Sequence, residues 1–296
     1  MTRLQANLIL LLVGAMWGMG FVAQSTAMAA IGPFLFIALR FLVATLVILP
    51  WAWRESATNG RKLRPRDWRA FCFIGVLLFG GMASQQVGLL TTTVTNSGFL
   101  TGLYVVMVPL LGVVLFRQFP HVAVWPAAFA ALVGIWLLSG GSVGTLTVGD
   151  WLTILCALFW ALQMIFIARD AGDTGRPVTL AVTQFAICAV IGFAVAAATE
   201  TIDWNAIRLA APEILFTGIF SGGLAFTLQA IGQRYTTAPQ AAIFLSSEAI
   251  FAALFGAIFL GERLPALGLF GCALIFAAIL FVEVAPALAA RRRVAP

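Results

Sequence analysis

Charged side chains are scarce in this sequence. Only 9% of the 296 residues are Asp, Glu, Lys or Arg, whereas 62% are hydrophobic, and the mean hydropathy is +1.04. Soluble domains are roughly half apolar and about a quarter charged. The apolar excess runs along the whole chain, and no soluble core would bury so much of it. The composition therefore excludes a soluble protein and predicts an integral membrane protein with the lipid bilayer as a partner.

Histidine and paired cysteines are also missing. The chain has one histidine, His121, and four cysteines without CxxC spacing. A single histidine at a predicted helix end allows neither a Ser-His dyad nor a His-containing metal site within the membrane. The sequence has no P-loop, which excludes an ATP-driven pump. We therefore expect no enzyme, no metal, no cofactor and four reduced, structural thiols.

Hydrophobic runs long enough to cross a bilayer recur along the chain. Each contains about 18–23 mostly apolar residues, and proline or glycine bounds several of them. The first run is too long for a signal peptide core and is followed by others, so we expect it to remain as a helix. The predicted spans are 4–25, 33–53, 68–88, 95–116, 122–139, 151–168, 177–199, 212–232, 238–260 and 265–285.

The basic residues indicate orientation. A net charge of +6 would suggest nucleic acid in a soluble chain, but here Lys and Arg lie in short loops, so we expect no nucleic-acid partner. Most of them fall on the side of the N-terminus, whereas Arg208 and Arg263 fall on the other side. The positive-inside rule then puts both termini in the cytoplasm. We expect a multi-pass protein of a bacterial inner membrane.

The two halves of the chain resemble each other. GAMWGMGF at 14–21 resembles ALFWALQM at 157–164, and FGGMASQQ at 79–86 resembles SGGLAFTLQ at 221–229. The offset is nearly constant and close to half the chain, which divides it into repeats 1–145 and 146–296 within one membrane domain. Five helices per repeat is an odd number, so the second copy enters the membrane from the opposite side. Inverted repeats around a central cavity are typical of secondary transporters, and no ring of like charges supports a channel.

Several motifs resemble one transporter family. WGMGF, Leu39-Arg40 in FIALRF, VPLLGVVLF and SSEAIFAALFGAIFLGER resemble EamA-type carriers of the drug/metabolite transporter superfamily over essentially the whole chain. WGMGFVAQ and NSGFLTGLYVVMVPLLG are similar to a member that exports aromatic and other amino acids. The resemblance implies a ten-helix monomer that exports such metabolites without ATP. The first half departs from the family pattern, because Phe116-Arg117-Gln118 replaces the usual Leu-Gly-Glu.

Polar and aromatic residues at mid-depth are the candidates for substrate binding. At about 1.5 Å per residue, helix positions near the middle of a span form one layer roughly 12–18 Å from either face. Glu248 either is protonated or bonded to neighbours for structural reasons, or binds a substrate ammonium or carries a coupled proton. The predicted substrate-binding residues are Glu248, Trp17, Tyr104, Trp160, Ser246, Ser247, Gln163, Gln85 and Asn96.

Other positions have two interpretations. Arg40 is the only basic residue within a predicted span; it could meet a carboxylate, but the resemblance favours a structural charge that bonds helix ends or carbonyls. The buried amides either line the pathway or join helices. Paired small residues and proline are the candidates for hinges that bend equivalent helices in the two halves. They are Gly80, Gly81, Pro109, Gly222 and Gly223.

Two substrate classes fit these residues. An amino-acid carrier needs partners for both a carboxylate and an ammonium group, although helix ends or backbone amides can bind the carboxylate. An exporter of hydrophobic or cationic drugs, with or without proton coupling, would favour an apolar cavity with one acid, which Glu248 supplies. The sequence leaves this choice open.

Overall fold

The computed structural model describes residues 1–92, 94–138, 146–260 and 266–294. Within these ranges the chain forms helices and no strand. The helices are α1 (Arg3–Ala27), α2 (Pro33–Thr58), α3 (Pro65–Gly88), α4 (Val94–Thr101), α5 (Tyr104–Phe116), α6 (Val124–Leu138), α7 (Val148–Thr174), α8 (Pro177–Thr199), α9 (Trp204–Leu209), α10 (Ala211–Phe216), the π-helical segment Thr217–Leu224, α11 (Ala225–Gln233), α12 (Ala238–Leu245), α13 (Ser247–Leu260) and α14 (Ala266–Val294).

These helices confirm the predicted membrane architecture. Within the described ranges, nine segments are long and apolar enough to cross a bilayer, and α6 is a shorter apolar helix between the fourth and sixth spans. Together they make the ten spans expected from hydropathy. We call the face where α1 begins the N-terminal face, and the opposite one the distal face.

Local sequence signals explain where the helices begin. Thr2 accepts a hydrogen bond from the backbone N–H of Gln5, and the Gln5 side chain accepts one from the N–H of Thr2. Thr147 and Asp150 form the same capping box at the start of α7. Such a box satisfies N–H groups that the first turn of a helix leaves free. The two boxes mark the equivalent first helices of the two repeats.

Helices α2 and α8 show that the repeats are inverted. Glu200, just after α8, accepts hydrogen bonds of 2.8 Å from two N–H groups in the first turn of α2. Glu55, near the end of α2, accepts bonds of 3.0 and 2.8 Å from two N–H groups in the first turn of α8. Each carboxylate thus caps the positive end of the other helix. This exchange requires that equivalent helices of the two halves run antiparallel.

Three spans are interrupted near their middle. The fourth span divides into α4 and α5 just before Tyr104, and its repeat equivalent, the ninth span, divides into α12 and α13 at Ser246. The eighth span contains the π-helical segment. A break in a buried helix leaves backbone N–H and C=O groups without their helical partners and changes the direction in which side chains point. Such breaks are therefore frequent next to functional sites.

The predicted hinge residues lie in different local structures. Gly80 and Gly81 are inside the continuous helix α3, and Pro109 is inside α5. Gly222 and Gly223 lie in the π-helical segment. The two glycine pairs therefore do not bend equivalent helices alike, because only the second pair interrupts α-helical geometry. A hinge function for these five residues stays a prediction.

Candidate functional site

A small cavity lies where spans of both repeats meet. It has a volume of about 30 Å³, which is room for one or two water molecules. Five of the predicted substrate-binding residues line it, namely Trp17, Gln85, Tyr104, Trp160 and Glu248. Arg40 and Gln24 line it as well, together with Phe21, Met82, Thr101, Met164, Ser221 and Phe226.

Three aromatic rings form one wall of the cavity. Trp160 and Phe226 stack with centroids 5.5 Å apart and planes 14° apart. The Trp17 ring lies 4.9 Å from Phe226 and 6.2 Å from Trp160. The Trp17 indole N–H donates a 3.1 Å hydrogen bond to the carbonyl of Ser221 in the π-helical segment. This bond fixes the ring and leaves apolar faces for a solute.

Glu248 joins the two repeats at the cavity. The Tyr104 hydroxyl donates a 3.1 Å hydrogen bond to Glu248 Oε1, and the two side chains are 2% and 9% exposed. These residues occupy equivalent positions in the fourth and ninth spans. Glu248 is therefore bonded to a neighbour, as the structural interpretation expects, and also faces the cavity, as the functional one expects.

Small residues bring Glu248 close to the first span. A Cβ atom added to Gly18 would lie 2.7 Å from the backbone nitrogen of Ala252 and 2.9 Å from the carbonyl oxygen of Glu248. Only glycine permits this approach of α1 to α13. The close contact holds the acid beside Trp17.

Arg40 also lines the cavity and is 1% exposed. Its Nη1 donates a 2.9 Å hydrogen bond to Gln24 Oε1, and its guanidinium carbon lies 5.1 and 5.6 Å from the ring centroids of Phe41 and Phe36. Its Nε is buried without a hydrogen-bond partner. The ion pairs found among the described residues do not include Arg40.

Gln85 also lines the cavity. Its amide donates a 3.2 Å hydrogen bond to the hydroxyl of Thr101, which faces the same space. Asn96, also predicted to bind substrate, has a side chain outside the described residues. The amide and hydroxyl groups of Gln85 and Thr101 give the cavity a polar side towards the distal face.

Three predicted residues lie outside the cavity lining. The Ser246 hydroxyl donates to the carbonyl of Ile243 at 2.7 Å, inside its own span. Ser247 is buried against α1. Gln163 belongs to a buried chain of amides, in which Gln229 donates to Gln163 at 3.4 Å and Gln163 donates to Gln184 at 3.1 Å. In this conformation Gln163 joins helices, Ser247 packs against α1, and Ser246 bonds within its own span.

Some lining residues were missed in the sequence. Phe226 lies in the repeated motif SGGLAFTLQ, and Met82 lies in its counterpart FGGMASQQ in the other half. Their place in these repeated motifs is the signal that could have indicated both. Ser221 and Met164 carry no comparable signal, because neither residue type is unusual in a membrane helix.

A second, wider pocket opens at the N-terminal face. Its volume is about 500 Å³, and it lies between the end of α5, the end of α7 and the start of α12. Arg169 and Asp173 line it, with Phe116 under the Arg169 guanidinium at 5.3 Å. Val108 lines this pocket one helical turn from Tyr104 of the central cavity. A layer of about 6 Å along α5 therefore separates the pocket from the site.

The chain is similar to known membrane transporters. Residues 4–140 and 147–284 each match the EamA-like transporter family. An "Uncharacterized transporter" of Archaeoglobus fulgidus is 34% identical over 283 residues, which cover 95% of this chain and 86% of the relative. "Uncharacterized transporter YwfM" of Bacillus subtilis is 25% identical over 288 residues, which cover 95% of this chain and 94% of the relative. A solved structure described as "Crystal structure of protein" has a TM-score of 0.81 at 19% identity, with 99% of this chain and 100% of that chain covered, and shows the same fold.

Proposed function

The chain belongs to the EamA-like transporter family, and from this premise we propose that it exports aromatic and other neutral amino acids, and related metabolites, by alternating access. As a family member it is a membrane transporter and not an enzyme. The substrate class and the direction of transport are the parts that we propose.

The observation that carries the proposal is a cavity with an acid, a base and an aromatic wall. Glu248 and Arg40 both line it, and neither forms an ion pair with the other among the described residues. A buried charge without a counter-charge is costly. A neutral amino acid carries one charge of each sign, so it would supply both missing partners, while its side chain contacts the rings.

Alternating access is supported by the position of the cavity between inverted repeats. Pockets that hold small ligands have volumes of about 300–1,000 Å³, so a cavity of about 30 Å³ must widen before it binds an amino acid. The layer of about 6 Å between the cavity and the N-terminal pocket is one route by which it could open. Movement of that layer would admit a solute from the N-terminal face.

Export requires that the N-terminal face is cytoplasmic. We propose a bacterial inner membrane, with both termini in the cytoplasm and the wide pocket as the entrance. We also propose a monomer that consists of the repeats 1–145 and 146–296, because residues of one chain complete the cavity.

A second candidate function is export of hydrophobic or cationic drugs. The aromatic wall beside Glu248 favours it, because aromatic faces attract cations. The guanidinium of Arg40 in the same cavity would repel a cationic solute, which is why we prefer amino acids.

The test is transport by the purified protein in liposomes. Vesicles loaded with unlabelled phenylalanine should exchange it for external labelled phenylalanine faster than protein-free vesicles do. Excess leucine or tryptophan should compete, and benzyltrimethylammonium should not. Exchange of the quaternary ammonium compound without exchange of any amino acid would instead establish the drug carrier. Repeating the exchange with an imposed proton gradient would show whether transport is proton-coupled.

A further inference from the structure

We propose that Arg40 binds the carboxylate of the transported amino acid and so determines substrate specificity, beyond the structural role that the sequence suggested. The inference rests on the proposed function, because it assigns one end of the substrate within the same cavity. It identifies the substrate class as solutes with a free carboxylate.

The hydrogen-bonding capacity of Arg40 is mostly unused. A guanidinium has five N–H donors in a planar fork and no acceptor. Among the described side chains, Gln24 supplies the one acceptor that we find, at 2.9 Å, and the buried Nε has no partner. Leaving a buried charge without an anion is strongly unfavourable. A carboxylate in the cavity would accept from the fork, the geometry in which arginine binds carboxylates best.

A second buried arginine shows what a structural role looks like in this protein. Arg176 is 4% exposed, and it donates to the hydroxyl of Ser56 at 3.0 Å and to the carbonyls of Asn59 and Arg61 at 3.0 and 2.7 Å. Those bonds tie the start of α8 to the last turn of α2 and the loop after it, away from the central cavity. The Nε of both arginines lacks a partner, but Arg40 has one such bond against three and faces the cavity, so joining helices does not account for it.

The surroundings hold Arg40 in place before a solute arrives. Phe36 and Phe41 flank its guanidinium, and Gln24 is itself fixed by a 3.3 Å bond to the carbonyl of Gly20. The backbone of Arg40 packs against the π-helical segment, since a Cβ atom on Gly218 would lie 2.8 Å from the Arg40 carbonyl oxygen. A preorganised fork loses little conformational entropy on binding.

The remaining parts of an amino acid have partners nearer mid-depth. Arg40 lies roughly 10 Å along α2 from the distal face, and Glu248 lies about 15 Å along α12 and α13 from the N-terminal face. Glu248 is available to the ammonium group, and the wall of Trp17, Trp160 and Phe226 is available to an apolar side chain. A bound zwitterion would therefore point its carboxylate towards the distal face. Amines that lack the carboxylate would leave Arg40 unpaired.

The experiment compares Arg40→Gln with Arg208→Gln in reconstituted liposomes. Arg208, in the exposed helix α9 at the distal face, is a matched control, because its substitution removes the same charge without touching the cavity. Phenylalanine, phenethylamine and phenylalanine methyl ester are tested as competitors of labelled phenylalanine exchange. Arg40→Lys is the milder variant, since it keeps the charge and loses the fork.

In the unaltered protein, phenylalanine should compete at least about tenfold better than phenethylamine or the ester. Arg40→Gln should lose that preference, with phenylalanine weakened at least tenfold and phenethylamine unchanged or improved. Arg40→Lys should keep part of the preference, and Arg208→Gln all of it. If Arg40→Gln does not fold, the same competition with Arg40→Lys decides the outcome, and an undiminished preference there would count against the proposal.

Two results would overturn the inference in different ways. If the unaltered protein exchanges phenylalanine but the Arg40 variants weaken all three compounds equally, Arg40 is only structural and the proposed function stands. If the unaltered protein exchanges no amino acid, the proposed function fails and the assignment of Arg40 fails with it.

Discussion

The hydrogen bond between Tyr104 and Glu248 gives the sharpest test of the acid's role. The substitution Tyr104→Phe removes one hydroxyl and keeps the ring, so the shape of the cavity is preserved. The lost bond is the 3.1 Å contact to Glu248 Oε1, between side chains that are 2% and 9% exposed. Hydrogen bonds to charged groups contribute about 1.5–3 kcal/mol, and about 1.4 kcal/mol is a factor of ten. Because this bond exists without substrate, its loss weakens binding only as far as it positions Glu248 for the ammonium group, so we expect phenylalanine affinity to fall by up to about 100-fold in Tyr104→Phe.

The assay is the concentration dependence of phenylalanine exchange in liposomes, in a double-mutant cycle with Glu248→Gln. The two side chains act through one bond, so the double variant should lose less than the sum of the single losses. The chain has two tyrosines, and the other, Tyr235, is 39% exposed near the N-terminal face. Tyr235→Phe is therefore the matched control and should exchange normally. Normal exchange by Tyr104→Phe, or strictly additive losses, would refute the idea that this pair contacts the substrate.

Four further substitutions and one control test the framework of the site. Glu55→Gln and Glu200→Gln should each lower the unfolding free energy by about 1–2 kcal/mol, the usual loss of a helix cap. Thermal unfolding in detergent should show similar losses for both variants. Losses that differ several-fold would contradict the reciprocal caps. Gly18→Ala should destabilise the protein by about 1–3 kcal/mol through overpacking, because its Cβ would meet backbone atoms at 2.7 and 2.9 Å. The control is Gly60→Ala, whose added Cβ would have no atom within 4 Å, so this variant should keep its stability. In Gly222→Ala the Cβ would lie 2.7 Å from a carbonyl of the π-helical segment, so we expect slower exchange together with a loss of stability of about 1–3 kcal/mol, and an unchanged rate would argue against a hinge.

The architecture was predictable because two strong regularities encode it. Hydropathy separates the spans, and the near-constant offset between the repeats pairs Trp17 with Trp160. The odd number of spans in each repeat then gives the two repeats opposite orientations in the membrane. Both regularities extend over many residues, so single exceptions do not hide them. The interruptions of the fourth, eighth and ninth spans depend on local packing around single residues such as Ser246, and the hydropathy of the span does not register them.

The membership of the site was only partly predictable for a geometric reason. Counting residues along a helix gives depth, but successive residues turn by about 100° around the helix axis. Ser246, Ser247 and Glu248 therefore share one depth, yet only Glu248 lines the cavity. Gln163 and Trp160 are likewise close in depth, while Gln163 faces the other buried amides. Direction around the helix is set by packing, which one sequence does not specify.

The two repeats differ at polar positions that would contact a solute. Glu248 and Tyr104 are equivalent positions, 144 residues apart, and one is an acid while the other is its hydrogen-bond donor. By the same offset the equivalent of Arg40 is Gln184, a fully buried amide that accepts from Gln163. An inverted pair of identical repeats would offer a zwitterion two opposite orientations of equal energy. Of this pair, Arg40 on the distal side is charged and Gln184 on the N-terminal side is neutral. A bound amino acid therefore has one favoured orientation. The same residues can bind it from whichever face the cavity opens.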